Sequence, residues 1–170
     1  MTILRVAEPQ EERAQRLERE FQAVLDAAVD AVVLFDHEGR IELLNHAGER
    51  MFGYKEEEVI GLKVNILLPE PYRSQHDDYL RHYIEAGEPR IIGIGRELSA
   101  KRRDGSEFSA ELAVGRVKGT DPPRFVGFIR DITVRRNAEE ALRRSEAQLT
   151  IAQEIANLGN YVVHFDGKYE

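Results

Sequence analysis

No cysteine occurs in the 170 residues, which removes disulfides, thiolate metal sites and cysteine nucleophiles together. Long apolar runs are missing too: none approaches the roughly 20 residues that a membrane-spanning helix needs, and the N-terminus lacks the apolar stretch of a secretory leader. The chain is therefore expected in water, most simply in the cytoplasm, without direct membrane contact. Positive charge is scarce, with 24 Lys and Arg against 31 Asp and Glu and a net charge of −7. A duplex-binding surface needs clustered cations to displace counterions from phosphates, so nucleic acid is not expected as a partner. The short basic runs Lys101-Arg102-Arg103 and Arg135-Arg136 read as solvated faces. No phosphate-cradling glycine loop is visible, nor any series of nucleophile, base and orienting group, so the chain is not expected to be an enzyme.

With 42% hydrophobic and 32% charged residues, the chain can bury one proper core with flanking segments. From Pro9 to about Ala28, apolar residues at Ala14, Leu17, Phe21 and Val24 recur in steps of three and four, the seam of a linker helix. Ala31 to Asp36 and Ile41 to Asn45 read as a hairpin whose turn, His37-Glu38-Gly39-Arg40, uses Gly39 for positive φ. Short helical pieces follow, closed by Gly53 and Gly61. Pro71 to Ala86 is the longest internal helix, opened by a proline and ended at Gly87.

Three strands come last, Ile91 to Lys101, Glu107 to Arg116 and Arg124 to Ile132, the first two joined through Asp104-Gly105. The order predicts an α+β fold, a five-stranded antiparallel sheet with helices on one face. After Thr133, Ala138, Leu142, Ser145, Leu149 and Ala152 repeat at spacings of four and three. That pattern predicts a coiled-coil linker and a homodimer formed through it, although an amphipathic helix lying on its own domain has the same periodicity. Asn157 to Gly167 repeats the strand-then-Asp-x-Gly style of Val32 to Gly39. The expected organisation is a linker helix over 1–20, a sensor domain over 21–134, a helical linker over 135–155 and the start of a second similar domain over 156–170.

Phe35-Asp36-His37-Glu38-Gly39, Asn45, Phe52-Gly53-Tyr54, Glu58-Val59-Ile60-Gly61, Lys101-Arg102-Arg103-Asp104-Gly105 and Asp131-Ile132-Thr133 resemble, in order and spacing, the PAS family, which implies a PAS fold and a signalling role. The segment Leu68 to Tyr79, with Pro-Glu-Pro-Tyr-Arg inside it, and the segment Ile91 to Arg96 resemble the heme-binding PAS domains of FixL-type oxygen-sensor kinases and of the direct oxygen sensor phosphodiesterase. That resemblance implies heme b as cofactor, His76 as proximal iron ligand, and Arg96 in contact with bound dioxygen or the heme propionates. It also implies dioxygen or another diatomic gas as the signal, and a parent protein that is a histidine kinase or a cyclic-dinucleotide cyclase or phosphodiesterase.

The residues carry part of this chemistry without the family. Tyr72, His76, Tyr79 and Tyr83 fall at i, i+4, i+7 and i+11, so they share a stripe expected to face the core. A neutral imidazole on such a face is a suitable axial iron ligand. Opposite it, Ile91, Ile92, Ile94, Leu112 and Val114, with Leu67, supply an apolar wall. Arg96 is the strong donor nearby, able to favour charge on a bound gas or to pair with a propionate; a strand arginine paired with Glu97 or Glu111 is the plainer alternative. Likewise His76 can be read as a core histidine satisfied by a backbone carbonyl. His82 lies about 240° around the helix from His76, suited to a propionate contact or plain exposure, and Arg90 can pair with a propionate. Two further readings stay open, a cofactor-free PAS module for dimerisation and relay, and a non-covalent flavin redox sensor.

Overall fold

The computed structural model describes residues 10–86 and 95–166, without the side chains of Tyr83, Glu85, Ala86 and 156–166. The chain divides into two compact units, one ending at Asp131 and the other beginning at Ile132. The first opens with α1 (Gln10–Ala27), then β1 (Ala31–Phe35), β2 (Ile41–Leu44), α2 (His46–Phe52) and α3 (Glu56–Val59). A 3-10 turn (Val64–Leu67), α4 (Tyr72–Ala86), β3 (Arg96–Lys101), β4 (Glu107–Arg116) and β5 (Phe125–Asp131) complete it.

Local chemistry fixes the hairpin. Asp36 Oδ1 accepts from the N–H groups of Glu38 and Arg40, both at 2.8 Å, and Gly39 takes φ +80°, a region that a side chain would strain. Asn45 caps α2 by accepting from Gly48 N–H at 2.9 Å, and Gly53 ends that helix at φ +77°.

The five strands pair antiparallel in the order β2-β1-β5-β4-β3, the α+β architecture expected. Register sets which side chains share a face. Val33 lies beside Gly127 and Phe35 beside Phe125, while Leu112 lies beside Ile129 on one side and Arg96 on the other. Strand side chains alternate, so these residues all stand on one face. Ala31, Val33, Phe35, Phe125 and Ile129 are buried there with Phe52, Val59 and Leu67. The opposite face is more open: Val32 is buried there, but Phe128 beside it is half exposed, and Arg130 grips Asp30 through two bonds of 2.9 and 2.7 Å.

Asn45 is a buried polar residue at 5% exposure. Besides its cap, its Oδ1 accepts from Val32 N–H at 2.8 Å, and its Nδ2 donates to Leu25 O and Asp30 O, both at 3.2 Å. One amide thus joins the end of α1, the start of β1 and the first turn of α2.

The second unit is α5, Thr133–Asp166. Its repeat positions Leu142 and Leu149 are exposed at 62% and 61%, so they form an apolar row along the helix. The strand-like segment expected from 157 onward is helical to Asp166. A strand without a neighbour leaves its ladder groups unpaired, whereas a helix satisfies them within the segment. The strand expected from Ile91 begins at Arg96, and residues 87–94 lie outside the described part of the chain.

Replacing Asn45 by Ala strands buried backbone groups on three elements and is expected to lower the unfolding free energy by about 2–4 kcal/mol. Urea denaturation checks this through a lower midpoint at unchanged slope.

Candidate functional site

α4 and the buried face of the sheet line a cavity of about 740 Å³, inside the roughly 300–1,000 Å³ range of cofactor pockets. Its floor is apolar, with Val33 and Phe35 from β1, Gly127 and Ile129 from β5, and Leu112 and Val114 from β4. Gly127 sits mid-floor, where a Cβ would already lie 3.7 Å from Leu112 Cδ1 and 3.9 Å from Phe35 Cε1. The absent side chain leaves depth there. Leu67 and Leu68 close the opposite wall together with His76 and Leu80 of α4.

His76 is half-buried. Its ring meets Phe35 edge-on at 6.5 Å between centroids, and its Nδ1 is buried with no hydrogen-bond partner. Burial holds its pKa below the ordinary value near 6.5; the neighbouring Asp77 carboxylate pulls it up and Lys63 pushes it down, each less than burial does. The side chain is therefore a neutral imidazole near pH 7, the form that binds metals. At the sheet's edge, Arg96 is the first residue of β3 and lines the same cavity from an exposed position. Its place beside Leu112 puts it on the cavity face, a guanidinium at the rim of an oily chamber.

A five-stranded sheet in this order, with a cavity under its long internal helix, agrees with the family comparison: the description "PAS fold" matches residues 19–132. The chain belongs to the PAS family. Among curated proteins, it is 39% identical over 142 residues to the sensor protein FixL of Bradyrhizobium diazoefficiens, covering 84% of this chain and 28% of that protein. It is 33% identical over 132 residues to the oxygen sensor protein DosP of Escherichia coli, covering 78% and 16%. Among solved structures, the PAS domain of an HTR-like protein from Haloarcula marismortui superposes with a TM-score of 0.57 at 24% identity, covering 72% of this chain and 98% of that one. This last likeness concerns the fold alone.

The PAS cavity gathers Leu67, His76, Tyr79, His82, Arg96, Leu112 and Val114 from the residues picked out in the sequence. Arg90, Ile91, Ile92 and Ile94, and the side chain of Tyr83, lie outside the described residues. The tyrosine stripe is corrected: Tyr72 and Tyr79 are 45% and 50% exposed and stand at the rim, Tyr79 donating its hydroxyl to Gln75 Oε1 at 2.8 Å. A phenol keeps its oxygen in water, so the row turned toward the core is His76 and Leu80. His82 is exposed at the mouth. Sequence reading overlooked the floor from β1 and β5. Its signal was the alternation of apolar residues along both strands, which names a buried face but not what faces it.

A depressed histidine pKa means that protonation favours the unfolded chain. The stability contributed is complete above the unfolded value near 6.5 and is lost as pH falls through the folded one. Ligand-free protein is expected to lose more stability between about pH 7 and about pH 5 than its His76→Gln variant does. Urea midpoints across that range check it, and parallel curves contradict the burial.

Proposed function

We propose that this chain is the sensory module of a heme-based sensor of dioxygen or another diatomic gas, with His76 as the iron ligand. The observation that carries the reading is the His76 imidazole, neutral, with a buried nitrogen that meets no protein partner, on the wall of an apolar cavity of cofactor size. A buried polar atom without a partner costs stability unless a ligand meets the group. The lining suits a heme: the buried imidazole of His76, apolar surfaces for the macrocycle and the Arg96 guanidinium at the rim. The similarity to a protein named as an oxygen sensor favours the same chemistry here.

Heme, when bound, would supply an iron able to take up a diatomic gas. His76 would hold it. Leu67, Leu112 and Val114, with Ile91, Ile92 and Ile94, would keep water from it. Arg96 would stabilise charge on the gas or pair with a propionate, His82 and Arg90 would pair with a propionate, and Tyr79 and Tyr83 would be cofactor-binding residues.

The output step belongs to the parent protein, proposed to be a cytoplasmic histidine kinase or a cyclic-dinucleotide cyclase or phosphodiesterase. The chain spans only 28% and 16% of the two relatives above. A change at the sheet would leave through β5 into α5, whose exposed Leu142 and Leu149 suit a homodimeric coiled coil.

Titration of ligand-free protein with hemin, followed by absorption, is expected to give a saturable Soret band for the wild type. His76→Ala should bind at least about tenfold more weakly, and Arg96→Ala should bind hemin but lose dioxygen faster when ferrous. A wild type that takes up no hemin leaves a cofactor-free relay module, and an unchanged His76→Ala spectrum removes His76 from the site.

A further inference from the structure

The residue after the proposed iron ligand stands about 100° further round the helix. Asp77 lines a second cavity, of about 470 Å³, which adjoins the first at Leu80 and is bordered also by His37, Arg40, Lys63 and Arg81. Its carboxylate receives hydrogen bonds from Lys63 Nζ and, at 3.0 Å, from Asn65 Nδ2. The same Asn65 amide donates at 3.0 Å to the carbonyl of Arg73, one turn earlier on α4. These bonds hold the carboxylate below the usual carboxylate range, the Lys63 bond first, and therefore charged.

Their importance follows from how little else fixes α4. Among its described residues none is fully buried, and Leu80 is its one hydrophobic side chain packed on the core. Its inward contacts among the described side chains are Leu80 and the edge of the His76 ring against Phe35, a narrow apolar footing. The polar anchor, by contrast, is well seated. Lys63 and Asn65 flank Val64, whose N–H donates to Gly39 O at 2.8 Å, Lys63 is bridged to Arg40, and Leu67 at the end of the 3-10 turn is 2% exposed. Backbone contacts thus tie the β1–β2 hairpin to the 3-10 turn, and the Asp77 carboxylate with the Asn65 amide ties that turn to α4.

We propose that Asp77 is a positioning residue for the iron ligand: held by Lys63 and Asn65, it pins α4 to the 3-10 turn and fixes where the His76 imidazole stands in the cavity. The proposal rests on the heme reading above. Groups that orient a metal ligand without touching the metal typically govern affinity by 10–100-fold. The Lys63–Asp77 pair is partly exposed, with side chains 42% and 36% accessible, and such pairs add little to global stability. Its loss should therefore appear in the geometry at the imidazole rather than in unfolding.

The test compares wild type, Asp77→Ala, Asp77→Asn and Asn65→Leu, with His76→Ala as control. Hemin affinity of each is read by titration, and the iron–imidazole stretching band of the ferrous protein by resonance Raman spectroscopy. Asp77→Ala is expected to bind hemin about tenfold more weakly and to shift or broaden that band, with an unchanged urea midpoint. Asn65→Leu, which removes half the clamp without altering charge, should move the band in the same direction. Asp77→Asn, which keeps an acceptor oxygen, should restore most of the wild-type behaviour. Wild-type affinity and band position in Asp77→Ala overturn the proposal. So does an Asp77→Asn that behaves like Asp77→Ala beside an Asn65→Leu that behaves like wild type, since the carboxylate then acts by charge alone. If His76→Ala keeps the wild-type spectrum, the heme reading itself falls, a result separate from either of these.

Discussion

The neutral imidazole of His76, held in an apolar wall with a nitrogen that no protein group meets, is the constraint on which the other assignments hang. Leaving such an atom unpaired costs about 1–3 kcal/mol. A core built only for stability would avoid that cost with an aliphatic side chain. The cost is offset where the imidazole meets a ligand. The depressed pKa has the same origin, because the environment that penalises the imidazolium keeps the ring in its ligating form.

Sheet register determines what that ring looks out upon. β1 and β5 are central, and their inward residues Val33, Phe35, Gly127 and Ile129 make the floor. The same strands connect to the flanking helices. β1 starts beside Asn45, whose amide also holds the end of α1, and β5 ends at Asp131, two residues before α5 begins. In the proposed sensor, a change at the floor would leave along β1 and β5, whose ends lie a few residues from α1 and α5 in the chain.

Much of this is legible in local sequence. Gly39 marks the hairpin because only a left-handed residue closes that turn, Pro71 stands just before the first residue of α4, and alternation along β4 names Leu112 and Val114 as inward. His76 stands out as a histidine on an internal helix. Other features depend on pairing between distant segments. Nothing local places β1 beside β5, so the floor is invisible until the sheet assembles. Helical spacing groups Tyr72, His76 and Tyr79 but leaves the phase of the helix free, and Leu80, not the tyrosines, sets it. Asp77 looks like one more surface carboxylate until the 3-10 turn brings Lys63 and Asn65 beneath it. The helical continuation past Ala156 is the reverse case: a strand-like pattern with no strand paired to it among the described residues.

The central claim is a bond between one side chain and one iron, and a crystal structure of the hemin-loaded protein tests it most directly. A single porphyrin is expected between α4 and the sheet, its iron bonded to a ring nitrogen of His76. A porphyrin bound elsewhere, or seated in the cavity with His76 turned away from the iron, would contradict it.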